Sequence, residues 1–127
     1  MSNRAVISTP TAPDAIGPYS QAVKVGNTVW LSGQIPLVPG TPELVRGDIT
    51  AQATQAFKNL SAVAEAAGGS LQSAVKINIS VLDLQHFGAI NDVMAQFFQA
   101  PFPARACVQV AALPKGAQIE IEAILAL

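Results

Sequence analysis

An arginine stands at the start of an apolar stretch near the end of the chain, and its side chain is well suited to binding an anion. Arg105 lies in FPARACVQV (102–110) among small and apolar residues, in a chain that has only seven Lys and Arg residues. A guanidinium that gives up hydration there requires an anion, best bound in a bidentate manner. That anion is either a carboxylate of the protein, with Glu120 and Glu122 as candidates, or the carboxylate of a small ligand.

The two candidate acids belong to a predicted strand close to the end of the chain. Glu120 and Glu122 alternate with Ile119 and Ile121, so both carboxylates are expected on one face of that strand. The spacing alone does not decide which acid is catalytic, and a surface acid or an ion pair with the arginine is the structural alternative. The same alternation places Arg105, Cys107 and Gln109 together on one face of the preceding strand.

Cysteine and histidine each occur once, which limits the chemistry they could support. Cys107 has no histidine close in sequence to act as its base, so we expect it to line a pocket and not to act as a nucleophile. His86 falls at the start of a predicted helix and is expected to be solvated. One His and one Cys cannot supply a structural zinc site, so no metal is expected.

Composition indicates a single domain over residues 1–127, with half of the residues apolar and 12% charged. So little charge on the surface of a monomer predicts a homo-oligomer. A net charge of −1 and the absence of a Lys/Arg cluster argue against nucleic-acid binding. The first ten residues lack a continuous apolar segment and no stretch is long enough to cross a membrane, so we expect a cytoplasmic protein without a membrane partner.

The elements that must position these residues follow from periodicity and turn signals. Residues 1–18 are expected to be an irregular arm, followed by a hairpin of strands 20–25 and 28–32 joined by Gly26-Asn27. After a loop at 36–47, Asp48 or Thr50 caps a helix that ends at Gly68-Gly69. Its expected buried positions recur at helical spacing: Ile49, Ala53, Ala56, Phe57, Leu60, Val63, Ala64 and Ala67.

A strand, a second helix and two further strands follow. The predicted order of the chain is βββαβαββ, in which the first strand is not assigned to particular residues. Alternation of Val75, Ile77, Ile79 and Val81 with polar residues predicts a strand with one buried face. Asp83 is expected to cap the second helix, and a polar residue on it, Asn91, must find a partner in the core or on a substrate. The apolar positions of that helix are Phe87, Ile90, Met94, Phe97 and Phe98. Two amphipathic helices predict an α+β fold with helices on one face of a mixed sheet, and other subunits covering the second face.

Four blocks, in order, resemble the Rid family, also called YjgF and often labelled endoribonuclease L-PSP. They are IGPYSQAV (16–23), LSGQIP (31–36), FPARACVQV (102–110) and LPKGAQIEIEA (113–123), and the resemblance runs from about Ile16 to Ile124. The resemblance implies a chorismate-mutase-like α+β fold with a six-stranded sheet, assembled as a homotrimer with its pocket between subunits.

The best-characterised Rid branch hydrolyses reactive 2-imino acids to 2-keto acids and ammonia without a cofactor. By resemblance, Arg105 would hold the substrate carboxylate, and Glu120 would position or deprotonate the attacking water. A planar guanidinium suits this, because it binds a carboxylate in one orientation. Further residues match substrate-binding positions of the family: Tyr19, Ser32, Gly33, Asn91 and Cys107.

The chain departs from the family pattern on both sides of Arg105. The segment between Phe98 and Phe102 is shorter than expected, and Ala106 stands where a serine is common. Both changes leave the arginine in place but could reshape the pocket wall and the substrate preference. Two alternatives to the deaminase remain: a non-catalytic module that binds a small carboxylate at the same pocket, and an RNA-cleaving protein, which the low basic content disfavours.

Overall fold

A computed structural model describes residues 3–127, which form one mixed sheet and two α-helices. Three short 3₁₀ turns, at 71–73, 84–86 and 114–116, connect these elements. The strands and helices, in chain order, are β1 (Arg4–Ile7), β2 (Ala22–Val25), β3 (Thr28–Gln34), α1 (Ile49–Ala66), β4 (Ala74–Val81), α2 (Phe87–Phe97), β5 (Ala104–Gln109) and β6 (Ile119–Ala126).

The six strands lie in the order β1-β2-β3-β6-β4-β5, and only β4 and β5 are parallel. The parallel pair is joined through α2, as a crossover between parallel strands requires. β6 is central and pairs antiparallel with both β3 and β4. The order of elements and the α+β class agree with the prediction, and β5 is an edge strand.

Both helices pack on one face of the sheet and enclose the core. The alternating apolar residues of β4 and β6 point toward them, with Ile77, Ile79, Ile119 and Ile121 all fully buried or nearly so. Asp48 begins α1 by accepting a hydrogen bond from the Ala51 amide at 3.0 Å. All eight positions predicted for the buried stripe of α1 and its end are buried. The helix terminates before Gly68, whose φ of +94° is the left-handed conformation expected of a helix-ending glycine.

Two predictions about the strands are wrong. The arm is not irregular throughout, because residues Arg4–Ile7 pair with β2 as β1. Val75 is exposed, because the pairing of β4 with β6 shifts register between Ala74 and Lys76. On α2, Phe87, one of the apolar positions of the predicted second helix, lies outside the core, since its ring is exposed and lies beside Arg105.

Asp83 caps the 3₁₀ turn at 84–86 and not α2 itself. Its carboxylate accepts a hydrogen bond from the Gln85 amide at 2.9 Å, and α2 follows directly at Phe87.

Aromatic contacts join the end of α2 to α1. The Phe97 ring stacks on the ring of Phe57 of α1, and the Phe98 ring makes an edge-to-face contact with the same Phe57 ring. These contacts fix α2 against α1 and so set the position of the side chains that α2 directs toward β5.

Within residues 3–127, neither helix combines the length and apolarity needed to cross a bilayer.

Candidate functional site

Arg105 lies on the edge strand β5, on the face of the sheet that carries the helices. Its register opposite Ile77 of β4 directs the side chain toward α2. There the guanidinium nitrogen Nη1 donates to Asn91 Oδ1 and lies 3.8 Å from Met94 Sδ. The guanidinium carbon lies 4.9 Å from the centroid of the Phe87 ring. Within a single chain the Arg105 side chain is exposed. The loss of hydration that its apolar neighbours in sequence predict for the guanidinium is therefore not produced by the chain alone.

A cavity of about 430 Å³ opens beside this guanidinium. Asn91 and Arg105 are the polar members of its lining. The remaining wall is apolar and is formed by Met94, Ala95, Phe102 and Pro103. A ligand with a carboxylate and a small apolar group could pair its carboxylate with the guanidinium and pack its apolar group against this wall.

Glu120 lies on the opposite face of the sheet. It pairs with Ser80 of β4, and Glu122 pairs with Asn78 on the same face, as alternation predicted. Glu122 accepts a hydrogen bond from the Asn78 side chain at 3.2 Å. The alternative in which one of these acids pairs with Arg105 inside the chain is wrong, because the sheet separates them from that guanidinium.

The carboxyl group of Glu120 packs directly against Gly33. A Cβ at position 33 would lie 2.8 Å from the Glu120 carboxyl carbon, a distance that real contacts do not reach. The register of β3 against β6 shifts between Leu31 and Gln34, and this irregularity brings the glycine backbone up to the acid. Gly33 therefore creates the space that the acid occupies.

Burial raises the pKa of Glu120, and the nearby Glu122 carboxylate raises that pKa further. Both effects disfavour the charged form. The acid lines a second cavity of about 380 Å³. Other walls of this second cavity include Ile16, Tyr19, Gln21, Gly33, Gln34, Ile35, Leu37 and Lys115. A carboxyl group with a raised pKa in a cavity is better suited to accepting and returning a proton than an exposed carboxylate is.

Tyr19 and Ser32 belong to the same side of the molecule as Glu120. Tyr19 is 53% exposed, and its hydroxyl accepts a hydrogen bond from the Ile16 amide at 3.2 Å. Ser32 donates its hydroxyl proton to the Ser20 carbonyl at 2.6 Å, which ties β3 to the segment before β2. The tyrosine faces the second cavity, whereas the serine hydroxyl is engaged within the protein.

Cys107 shares the helix-covered face of β5 with Arg105 and packs against the core. Burial raises the pKa of its thiol, and the positive charge of Arg105 only partly opposes this effect. A thiol held neutral is a poor nucleophile, which agrees with a residue that lines a site and does not attack substrate. His86 directly precedes α2, and its side chain makes no capping hydrogen bond there.

The predicted site residues thus fall into two groups on opposite faces of one chain. Asn91, Arg105 and Cys107 face the helices at the β5 edge. Tyr19, Gly33 and Glu120 line the second cavity on the other side. One chain by itself therefore does not bring Arg105 and Glu120 together.

Sequence reasoning missed two residues near these groups. Phe87 is an apolar position of the predicted second helix, and no sequence signal indicates its contact with Arg105. Lys115 adopts a left-handed backbone with φ of +58°, and its ammonium donates to the Pro42 carbonyl at 3.3 Å. The glycine that follows Lys115 predicts a turn there, but not the cavity that the lysine lines.

In the part of the chain that the structure describes, His, Cys, Asp and Glu side chains form no group of three or more able to hold a metal ion.

Comparison with known proteins identifies the family. A 2-iminobutanoate/2-iminopropanoate deaminase from Dermatophagoides farinae is 57% identical, over 98% of this chain and 98% of that protein. The crystal structure of RidA from the Antarctic bacterium Psychrobacter sp. PAMC 21119 superposes with a TM-score of 0.93 at 54% identity, covering 97% of this chain and 99% of that one.

The crystal structure of Escherichia coli TdcF with bound serine gives a TM-score of 0.91 at 44% identity, covering 97% of this chain and 98% of that one. The model of the family described as endoribonuclease L-PSP matches residues 9–127. As the four sequence blocks predicted, the chain belongs to the endoribonuclease L-PSP family, which is the Rid family.

Proposed function

We propose that this chain hydrolyses reactive 2-imino acids to 2-keto acids and ammonia, without a cofactor, at a site completed by a second copy of the chain. The observation that carries the proposal is that the guanidinium of Arg105 faces a cavity, and that no carboxylate within residues 3–127 lies against it. A protein 57% identical to this one is named a 2-iminobutanoate/2-iminopropanoate deaminase. Such substrates carry the α-carboxylate that a free guanidinium binds.

Arg105 holds the substrate carboxylate and thereby fixes the imine carbon in one orientation. TdcF, which shares the fold, binds serine, whose α-carboxylate is the group that the proposal assigns to the arginine. The apolar wall of the cavity, which includes Met94 and Phe102, is available to the side chain of the imino acid. Cys107 and Asn91 border the arginine on the same side of the sheet.

Glu120 positions the water and moves its proton. As the water oxygen bonds to the iminium carbon, the carboxylate takes a proton from the water and a carbinolamine forms. The carboxylic acid then returns this proton to the nitrogen. As the C–N bond breaks and the C=O bond forms, the carboxylate takes the proton of the carbinolamine hydroxyl and passes it to the released ammonia. The products are a 2-keto acid and ammonium, which balance the iminium and water consumed. The raised pKa of Glu120 suits an acid that must both take and give a proton.

The second copy is required because Arg105 and Glu120 are on opposite faces of the sheet. If two chains meet with the β5 edge of one against the Glu120 cavity of the next, each interface has one arginine and one acid. Tyr19 and Gly33 then accompany the acid, and the two cavities become one site. The homotrimer implied by the family resemblance provides such interfaces, because a heterologous contact closes into a ring.

The second candidate function is a module that binds a small carboxylate without catalysis. Bound serine in TdcF favours it, because serine is not an imine. Cleavage of RNA, suggested by the family's description, lacks the electrostatic basis for binding a polyanion, since the chain has seven Lys and Arg residues against eight Asp and Glu.

The test couples an amino-acid oxidase to the purified protein and follows decay of the released 2-imino acid. We expect wild type to accelerate the decay and Arg105→Ala to reduce kcat/KM by about a hundredfold or more, since a charged hydrogen-bonded anchor is removed. Arg46→Ala, which removes an exposed arginine of the 36–47 loop, is the matched control and should match wild type. The absence of acceleration by wild type across several imino acids would overturn the proposed deaminase.

Glu120→Gln tests whether the acid acts in catalysis and not in binding. If Glu120 moves the proton, this variant loses hydrolysis but still binds a 2-keto acid, because the carboxylate anchor remains. Hydrolysis that survives the substitution at wild-type rate would remove Glu120 from the mechanism.

A further inference from the structure

Three side chains of α2 form a seat for the guanidinium of Arg105. Phe87, Asn91 and Met94 are spaced four and three residues apart, so they project from one face of the helix. The Phe87 ring lies at 4.9 Å, the Asn91 amide oxygen accepts from Nη1, and the Met94 sulfur lies at 3.8 Å. The edge strand β5 alone would leave this long side chain free to move, and α2 restrains it.

All three contacts of this seat are electrically neutral. An aromatic face attracts a cation through its quadrupole, and an amide oxygen accepts a hydrogen bond, but neither cancels a unit charge. An aspartate in place of Asn91 would present a similar oxygen and would also neutralise the guanidinium. The chain therefore fixes the direction of the guanidinium and leaves its charge for another anion.

The geometry points to Phe87 and Asn91 as positioning residues that hold Arg105 for the substrate carboxylate through neutral contacts alone. This inference rests on the proposed function, since the carboxylate is that of the imino acid. Asn91 uses one nitrogen of the guanidinium, and the remaining donors are left for a bidentate pair. Asn91 thus acts through Arg105, a role additional to the substrate contact predicted from sequence.

Because the seat is neutral, adding a charge to it distinguishes a positioning role from a merely structural one. A structural hydrogen bond to Arg105 would survive or strengthen in Asn91→Asp, because a carboxylate accepts from a guanidinium better than an amide does. A positioning role predicts the opposite for ligand affinity, because the new carboxylate competes with the ligand for the cation. Gln96→Asp is the matched control, because it adds the same charge to an exposed position of the same helix.

The experiment titrates each folded variant with 2-oxobutanoate and measures its Kd, then measures KM and kcat with 2-iminobutanoate. We expect Asn91→Asp to raise the Kd and KM by about tenfold or more with a smaller change in kcat, and Gln96→Asp to change them by about twofold at most. Equal or tighter binding by Asn91→Asp, or equal weakening by Gln96→Asp, would overturn the inference.

Phe87 supplies an independent test if Asn91→Asp fails to fold. Phe87→Leu keeps an apolar side chain without a π face, and Phe87→Tyr keeps the π face. We expect a Kd about threefold or more above wild type for the leucine variant and recovery in the tyrosine variant. A leucine variant that binds 2-oxobutanoate as well as wild type would remove Phe87 from the seat.

The two readouts distinguish this inference from the proposed function. Binding of 2-oxobutanoate needs no turnover, so a wild-type protein that binds it but hydrolyses no imine overturns the deaminase and leaves the seat to be judged by the variants. A wild-type protein that binds no 2-oxobutanoate overturns the carboxylate seat itself.

Discussion

The carboxyl group of Glu120 occupies the space where a side chain at position 33 would have to lie. Its surroundings are therefore tight, with the Gly33 backbone on one side and Glu122 two residues along the same strand face. Burial is the larger cause of its raised pKa, and the charge of Glu122 is the smaller one. The two causes can be separated, because Glu122 can lose its charge while keeping an oxygen for its hydrogen bond with Asn78.

Glu122→Gln is expected to shift the acid limb of kcat/KM to lower pH. The proposed mechanism needs Glu120 deprotonated, so activity falls as pH drops through its pKa. Removing the neighbouring negative charge makes deprotonation easier and lowers that pKa, while burial still keeps it above the value of an exposed glutamate. The measurement is a pH profile of kcat/KM for wild type and variant.

Glu65→Gln, at an exposed position of α1, is the control and should leave the pH profile unchanged. If the acid limb of the kcat/KM profile lies at the same pH in Glu122→Gln as in wild type, then either Glu120 is not the titrating group or the two acids do not interact.

At the scale of elements, one buried asparagine of α1 holds the wall of the Glu120 cavity. Asn59 is 1% exposed, and its amide donates to the carbonyls of Ile35 at 3.2 Å and Leu37 at 2.8 Å. Its own oxygen accepts from the Gln55 side chain at 2.9 Å. Ile35 and Leu37 line the cavity, so this helix residue fixes the segment that follows β3.

Asn59→Ala is expected to lower the free energy of unfolding by roughly 2 kcal/mol, because buried carbonyl groups lose their donor. Urea denaturation monitored by circular dichroism measures this change. Lys58→Ala, at an exposed neighbouring position of α1, is the control and should stay within about 0.5 kcal/mol of wild type. A loss no larger than that of the control would mean that water replaces the amide at the two carbonyls.

The elements with strong periodicity were predictable from the sequence, and those set by pairing were not. The stripe of α1 and the alternation of Ile77, Ile79 and Val81 depend only on local spacing, which determines the buried face once a core exists. β1 depends on pairing with β2, which no pattern within the arm indicates. The exposure of Val75 likewise follows from a shift in register between two distant strands.

The same limit applies to the candidate site of the whole molecule. The sequence supplied Arg105 and Glu120 as residues able to bind and activate, and it placed each on a strand face by alternation. It could not relate one face to the other, because that depends on the register of β4 with both β5 and β6. Register alone reveals that the two side chains leave the sheet in opposite directions.

The requirement for two chains can be tested by mixing inactive variants. Arg105→Ala keeps the acid and Glu120→Gln keeps the arginine, so a trimeric ring that contains both variants has an intact pair at one of its interfaces, which is about a third of them. We expect co-expression of two differently tagged variants, purified through both tags, to restore imine hydrolysis to roughly that fraction of wild type. The same variants combined after purification, without subunit exchange, should remain inactive. Mixed oligomers that also remain inactive would mean that each chain uses its own arginine and acid, which the opposite faces of the sheet do not allow without rearrangement.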